Sequence, residues 1–310
     1  MKKISICIPA YKNVTYLTRL LESIQSQIYK DFEVIITDDS PNDDIERLLK
    51  LSFSTLDVKY IKNEKPLGSP ANWNECIQHA NCEWIKIMHD DDWFWDQNSL
   101  LMFYEATSQY PDVNFFFSAF RNVHDIIGTK KNVYCTFIDQ VFLRFDTYNL
   151  LKKVYVGNPS CTLFKNNQHI YFDTDYKFVV DFDFYIRYLK GNKYNYIDSI
   201  LINVGFNEDQ VTKYTFNVSK VQIPENITFL NKHGISILQN IFVYDYYWRL
   251  FRNLKIRSIE EVQVYEGLFV PNQIIELLKF QTKIPLNILN YGMMSKFFML
   301  FSYVMKLRLK

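Results

Sequence analysis

Glycine and proline are scarce, at 8 and 9 in 310 residues. That excludes collagen-like, low-complexity and disordered chains. Cysteine is also sparse: Cys7, Cys76, Cys82, Cys135 and Cys161 are odd in number and contain no CxxC pair. A zinc site is therefore not expected, and reduced, buried thiols in a cytoplasmic protein are. Long hydrophobic runs are missing, so no membrane span is expected. Met1-Lys2-Lys3 has the look of a signal-peptide start, but Pro9, Tyr11 and Lys12 interrupt the apolar stretch before any cleavage site. Neither sign of charge dominates, with 35 Lys and Arg against 34 Asp and Glu. A net charge of +1 argues against nucleic acid as a bulk partner. GxGxxG and GxxxxGK[ST] are both absent, so the usual dinucleotide and phosphate-loop modes fail.

What is present is apolar and aromatic. The chain is 48% hydrophobic, with 26 Phe and 22 Tyr, enough for a substantial core. Its length suits about two domains, or one large domain with an appendage. In the first half, short β-rich runs at 4–8, 32–37, 58–61, 83–88 and 114–120 alternate with helical spacing at 14–27, 43–51, 71–80 and 100–110. Strands separated by single helices imply a mostly parallel, doubly wound α/β sheet. Ligands of such sheets bind beyond the carboxyl ends of the strands. From about 120 to 204 the pattern is less regular, with helical spacing at 176–190. Beyond about 215 strand signals fade, and 238–254, 272–280 and 286–310 read as helical. No repeat and no linker mark the boundary.

Three expected strand ends carry polar clusters: Pro9-Ala10-Tyr11, Asp38-Asp39-Ser40 and the triplet Asp90-Asp91-Asp92 within EWIKIMHDDDWFWD (residues 83–96). Adjacent carboxylates repel one another and are costly to desolvate unpaired. A hard divalent cation removes the repulsion and supplies charge for phosphate oxygens. The competing reading is a helix cap or a solvated turn. A carboxylate at Asp38-Asp39 can accept from a nucleobase N–H or a ribose hydroxyl, or it caps the following helix.

Three blocks, in this order, carry a resemblance. ISICIPAYKNVTYLTRLLESIQSQIYKDFEVIITDDSPND resembles the opening of family-two glycosyltransferases, whose catalytic domain has the GT-A fold. NEKPLGSPANWNECIQHANCEWIKIMHDDDW is similar to the family's glycine-containing loop, helix and Asp-rich metal motif, and FVVDFDFYIRYLK to its later acidic segment. Together they cover about the first 205 residues. The resemblance implies inverting transfer of one sugar from a nucleotide-diphosphate sugar, UDP-linked in the expectation, to an acceptor hydroxyl. Pro9, Ala10 and Tyr11 would line the base pocket, and Asp39 would contact base or ribose. Gly68 and Asp90 join the donor side. Asp91 would hold Mn2+ or Mg2+ with Asp92 beside it, and Asp181 would be the general base. Asp183, two residues on, is the rival base; its plain role is an i,i+4 partner for Arg187.

Two departures stand out. His89 occupies the first aspartate position of the D-x-D pattern, and Trp73 replaces an arginine often found in the helix after the glycine loop. Asn72 and Asn74 become the candidates to hold the diphosphate, with helix capping as their alternative role. Trp93 and Trp95 either shape a sugar pocket or belong to the core. Gly157-Asn158-Pro159-Ser160 is an acceptor-side loop or an ordinary turn.

The last forty residues hold six Lys or Arg against one Glu, a net +5, which leaves −4 for the remainder. A helix from about Ser295 would show a narrow polar strip (Ser295, Ser302, Lys306) and a broad apolar face. That suggests docking on an anionic membrane surface; the alternatives are packing on the catalytic domain or on a second subunit of a homo-oligomer. The reading is a GT-A catalytic domain over 1–215, with nucleotide-sugar binding in 1–120 and the acceptor side in 121–215, and a helical extension over 216–310. It would build a bacterial surface glycan such as lipopolysaccharide or capsule, at the inner face of the cell membrane, on a glycan or lipid-linked acceptor. No Q-x-x-R-W motif is present, which argues against a processive synthase. The alternatives are a metal-dependent nucleotidyltransferase, disfavoured by the non-glycine 9–13 loop, and a catalytically inactive carbohydrate-binding or scaffold protein.

Overall fold

The computed structural model describes residues 2–124, 127–166, 170–207 and 215–308. Nine strands form one sheet among these residues: β1 Ile4–Ala10, β2 Phe32–Asp38, β3 Val58–Lys62, β4 Trp84–Ile87, β5 Trp93–Phe94, β6 Phe115–His124, β7 Lys130–Val133, β8 Thr162–Lys165 and β9 Tyr194–Phe206. The helices of the first part are α1 Val14–Gln25, α2 Asp44–Ser52, α3 Ala71–Gln78, α4 Ser99–Gln109, α5 Phe137–Phe145 and α6 Val180–Leu189. Those of the last part are α7 Ser219–His233, α8 Ile241–Asn253, α9 Glu260–Gln263, α10 Asn272–Gln281, α11 Leu286–Leu289 and α12 Gly292–Arg308.

The sheet runs β3-β2-β1-β4-β8-β6-β9-β5, with β7 on the edge of β6. The β3-β2-β1-β4 half is parallel, as the strand–helix alternation implies. Beyond β4 the sheet is mixed: β8 is antiparallel to both neighbours, β6 pairs β9 in parallel, and β5 and β7 pair antiparallel. β1 lies inside the parallel half and all seven of its residues are buried, which is why it reads as an unbroken apolar run. Its side chains alternate between two cores. Ile4, Ile6 and Ile8 pack with Leu17, Leu20, Leu21 and Ile24 of α1, while Cys7 faces Cys76 and Ile77 of α3.

The second core does not stop at the sheet. It continues through Phe184 and Tyr188 of α6 into Ile223, Tyr247, Trp248, Leu278 and Met299 of the helical region. The expected division at about residue 215 adjoins the undescribed residues 208–214, and one core spans the two sides of it.

The helix expected over 176–190 starts later, at Val180. Glu225 of α7 explains the difference. Its carboxylate accepts the backbone N–H groups of Lys177, Phe178 and Val179 at 2.9, 2.7 and 3.2 Å, holding them as a turn rather than a first helical turn. The segment expected to be helical over 238–254 opens with a 3-10 turn at Ile235–Gln239, and α8 begins after Asn240, whose side chain accepts from Phe242 N.

Of the alternatives for the last helix, packing of its whole apolar face on the catalytic domain is not what the described residues show. Ser295 and Ser302 are buried: Trp248 Nε1 donates to Ser295 Oγ at 3.0 Å, and Tyr244 and Ser302 share a hydroxyl pair at 2.7 Å. Met293, Phe297, Phe301 and Val304 are exposed, Phe297 by 60%. The polar strip thus docks on α8 and much of the apolar face points away from the described residues. Lys306, Arg308 and Lys310 have side chains outside what is described. No described helix is long and apolar enough to cross a membrane.

Candidate active site

The carboxyl ends of β1, β2 and β4 bring the three polar clusters together. Tyr11 N donates to Asp90 Oδ2 at 3.0 Å, Asp39 N to Ala10 O at 3.0 Å, and Lys12 N to Ser40 Oγ at 2.6 Å. Pro9 and Ala10 are buried, while Tyr11 is half exposed at the rim. Asp38 is structural: it is fully buried and accepts from Tyr60, Lys62 and Ser40 N. Asp39 grips the glycine loop, accepting Leu67 N at 3.1 Å and Gly68 N at 2.7 Å along with Asn63. Gly68 has φ +73°, which an L side chain rarely adopts, so glycine is what lets the loop fold back onto Asp39.

The amides of Asn72 and Asn74 are engaged within the protein. The amide of Asn72 bonds Thr37 O and Asn63, and the amide of Asn74 pairs with both backbone groups of Phe172 at 2.8 and 2.9 Å. Both are buried, with their polar atoms turned to the protein. Neither is a helix cap; the N-cap of α3 is Pro70. Between them Trp73 packs at a tilt against His89, ring centroids 4.6 Å apart. The two positions that depart from the family pattern therefore touch each other.

The triplet sits in a cage of distant residues. Asp92 is fully buried and accepts Gly205 N at 3.0 Å and Asn158 Nδ2 at 2.7 Å. Asp91 accepts Asn207 Nδ2 at 2.7 Å, and its carbonyl receives Arg19 Nη2 at 3.0 Å. Gly205 must be glycine, because a Cβ there would press into the Asp91 carbonyl oxygen. The 157–161 turn is the other wall. Ser160 Oγ accepts His89 N at 2.9 Å, and the wholly buried Lys86 donates to the Ser160 carbonyl. Burial lowers that lysine to about 7.

Crowding and burial set the electrostatics. Burial, then the Asp91 charge, raises Asp90 to about 7 and Asp92 to about 8. Burial and Lys86 lower His89 to about 4, so its ring is neutral near pH 7. A cation fits this donor set. Ligand atoms of His89, Asp91 and Asp92 lie within 4.8 Å of one another, and among the described residues no partner reaches the buried His89 Nε2. His89 joins the candidate ligands here; its sequence signal was its place in the acidic motif.

Asp181 opens α6. Burial alone raises its carboxyl to about 7, and no described donor reaches its buried Oδ1. Tyr185 of α6 donates its hydroxyl to Gly157 O at 3.2 Å, and Asn158 of the same turn donates to Asp92, which links α6 to the cage. Asp183 contrasts with it. Burial opposes its charge, but His233, Lys232 and Arg187, at 3.0, 2.8 and 2.7 Å, outweigh that and hold it at about 2. It is an ion-pair anchor between α6 and α7. Sequence reasoning missed Arg19, Gly205 and Asn207, whose bonds to the cluster cross 72 to 116 residues and leave no local signal, and Lys86, which bonds the Ser160 wall across 74.

The model of glycosyl transferase family 2 matches residues 5–166, more than half of the chain. GalNAc(5)-diNAcBac-PP-undecaprenol beta-1,3-glucosyltransferase of Campylobacter jejuni is 31% identical over 94 residues, 30% of each chain. A glycosyltransferase of Bacillus subtilis, uncharacterised by name, is 28% identical over 192 residues, 61% of this chain and 68% of that one. Against several other curated relatives the match spans only 15% to 28% of the relative's length. Among solved structures, TarS 1–349 of S. aureus in complex with UDP-GlcNAc superposes with a TM-score of 0.58 at 16% identity, covering 90% of this chain and 72% of that chain. A mannosyltransferase of Pyrobaculum calidifontis in complex with GDP-Man and Mn2+ gives 0.57 at 13% identity, covering 98% and 86%. The architecture is the GT-A α/β fold with a helical C-terminal region.

Proposed function

The chain belongs to glycosyl transferase family 2, and on that premise we propose that it transfers a single sugar from a nucleotide-diphosphate sugar, a UDP-sugar in this reading, to a hydroxyl of a glycan or lipid-linked glycan, with inversion. One observation carries the reading: Asp181, a carboxyl near 7 with an oxygen no described donor reaches, opens the helix whose Tyr185 hydroxyl donates to Gly157 O, in the turn whose Asn158 donates to Asp92 of the caged acidic cluster at the carboxyl ends of the strands. A base poised near neutrality is what removal of a hydroxyl proton requires. Asp181 takes the proton of the acceptor hydroxyl as that oxygen attacks the anomeric carbon. The bond from that carbon to the diphosphate oxygen breaks on the opposite face, and the diphosphate leaves with the electron pair. Pro9, Ala10 and Tyr11 border the base, and Asp39 keeps the Gly68 loop closed over the donor side. The amides of Asn72 and Asn74 brace α3 and take no part.

Asp91, Asp92 and His89 would hold Mn2+ or Mg2+. When bound, the cation offsets charge growing on the departing diphosphate. A nitrogen ligand disfavours Mg2+, which prefers oxygen donors, so Mn2+ is expected to serve better. The test is release of nucleoside diphosphate from a panel of nucleotide sugars. Asp181→Asn is expected to abolish transfer while nucleotide still raises the melting temperature. Wild-type turnover in that variant overturns the assignment of the base, and undiminished turnover in excess chelator overturns that of the cation. His89→Ala is expected to narrow the preference for Mn2+ over Mg2+; an unchanged preference would remove His89 from the ligand set.

The acceptor side includes a membrane surface in this reading. The outward apolar residues of α12 and the basic balance of the last forty residues suit anionic lipid. The named activity of the C. jejuni relative, on an undecaprenol-linked glycan, supports a lipid-carried acceptor; the reading places it at the cytoplasmic face, in synthesis of a surface polysaccharide. Sedimentation with phosphatidylglycerol vesicles but not with phosphatidylcholine vesicles is expected. A concentration-dependent dimer that fails to bind either would assign the face to a second subunit instead.

A further inference from the structure

Beside the acidic cage lies a cavity of about 480 Å³ that the reaction above does not use. Trp93, Trp95, Arg121, His124, Lys130 and Asn203 border it. The sheet register builds it. Trp93 pairs with Asn203 across β5 and β9, and Asn203 pairs with Arg121 across β9 and β6, so the three stand in one row. Two residues along, Val123 pairs with Gly205, whose backbone lies against the Asp91 carbonyl. The cavity therefore opens at the same end of the sheet as the acidic cluster, one strand-step away.

Its walls have a definite chemistry. The Arg19 guanidinium lies 3.5 Å over the Trp93 ring and reaches back to Asp91 O. The Arg121 guanidinium lies 4.1 Å over Trp95, which remains 38% exposed. These contacts hold two large rings in fixed orientation beside an open space. Arg121 donates through Nε to Asn132 at 2.8 Å, and no described residue takes its terminal nitrogens. The His124 ring stacks on Phe206 at 4.5 Å. Lys130 is exposed, and no carboxylate is among the described residues of the lining. Rings offer an apolar face to the C–H side of a sugar. A planar guanidinium and an ammonium select a negatively charged group.

We propose that this cavity binds a negatively charged saccharide, and, resting on the glycosyltransferase reading, that it is a subsite for an anionic unit of the acceptor glycan. Intrinsic tryptophan fluorescence reads it directly, titrated with N-acetylglucosamine 6-phosphate, glucuronic acid, neutral N-acetylglucosamine and inorganic phosphate. At least one charged sugar is expected to give saturable quenching about tenfold tighter than the neutral sugar and than phosphate alone; the stronger of the two identifies phosphate or carboxylate as the recognised group. Arg121→Ala and Trp95→Ala are expected to weaken that binding at least tenfold, and the exposed Lys130→Glu at least threefold with an unchanged melting temperature. Nucleotide-induced thermal stabilisation is expected to be unaltered in all three. Equal binding of the neutral sugar, equal binding of phosphate alone, absence of saturation, or full affinity in Lys130→Glu together with Trp95→Ala each overturns the proposal. Charged-sugar binding in a wild-type protein that takes no nucleotide would leave the cavity assigned and sink the transfer reaction; nucleotide turnover without charged-sugar binding would do the reverse.

Discussion

Asp181 and Asp183 are two positions apart on one helix, yet burial drives one to about 7 and ion pairing holds the other at about 2. For Asp181 the sign runs one way in activity and the other in stability. In its proposed role as base it must be ionised, so kcat/KM is expected to fall below a pKa of about 7 and level off above it, read from a pH profile at saturating cation. Its folded value lies above the usual 3.8, so its contribution to stability is present below about 4 and is lost as pH rises through 7. Asp181→Asn is therefore expected to be more stable than the wild type at pH 8, by about 2 kcal/mol after allowing for partial exposure, and no more stable at pH 4. Thermal melts at the two pH values check it. Gly205→Ala makes a sharper demand: a methyl group pressed into the Asp91 carbonyl displaces either β9 or the cluster. Loss of Mn2+-dependent nucleotide stabilisation, with far-ultraviolet circular dichroism retained, is the expected result.

At the scale of elements, the acidic anchors decide where α6 sits. Glu225 on α7 takes three backbone N–H groups before α6, and Asp183 within α6 takes Lys232 and His233 from the far end of α7. Two carboxylates of opposite placement thus clamp the pair of helices. Glu225→Gln, which leaves at least one buried N–H without a charged acceptor, is expected to cost about 2–3 kcal/mol in urea unfolding. Asp183 has a folded value below 3.8, so its contribution, about 2 kcal/mol, is present above about 4 and is lost as pH falls toward 2. Asp183→Asn is expected to flatten that acid limb. These anchors also explain what could be read in the chain and what could not. The parallel half was legible because β1, β2 and β4 are apolar runs next to helices of clear 3.6 spacing, such as Leu17, Leu20, Leu21 and Ile24. β5 has two residues, β7 reads Lys-Lys-Asn-Val, and β8 has four, so each is specified by its partner across the sheet rather than by its own pattern. The triplet of aspartates announced itself by adjacency. Asn207 and Gly205, which hold it, did not, since they bond it across 116 and 113 residues, and Asn158 stood out only as part of a loop, with no sign of its bond to Asp92 across 66 residues.

For the whole molecule, the core on the α3 face runs without a break from Cys7 on β1 to Met299 on α12. Truncation at residue 215 removes Ile223, Tyr247, Trp248 and Leu278 from that core and is expected to yield aggregated protein, seen as loss of the monomer peak in gel filtration. Phe297→Glu with Phe301→Glu, on the outward face of α12, is expected to leave the unfolding free energy unchanged within about 1 kcal/mol and to abolish vesicle sedimentation. The shared core has one more consequence. The family's pattern ends at residue 166, whereas the unit that folds extends more than a hundred residues beyond it. What is inherited as a recognisable block is therefore smaller than what must collapse together. Exchange of C-terminal halves between relatives would have to carry matching interior residues on both sides of the join, so new acceptor preferences should arise by drift within one lineage more readily than by shuffling of parts.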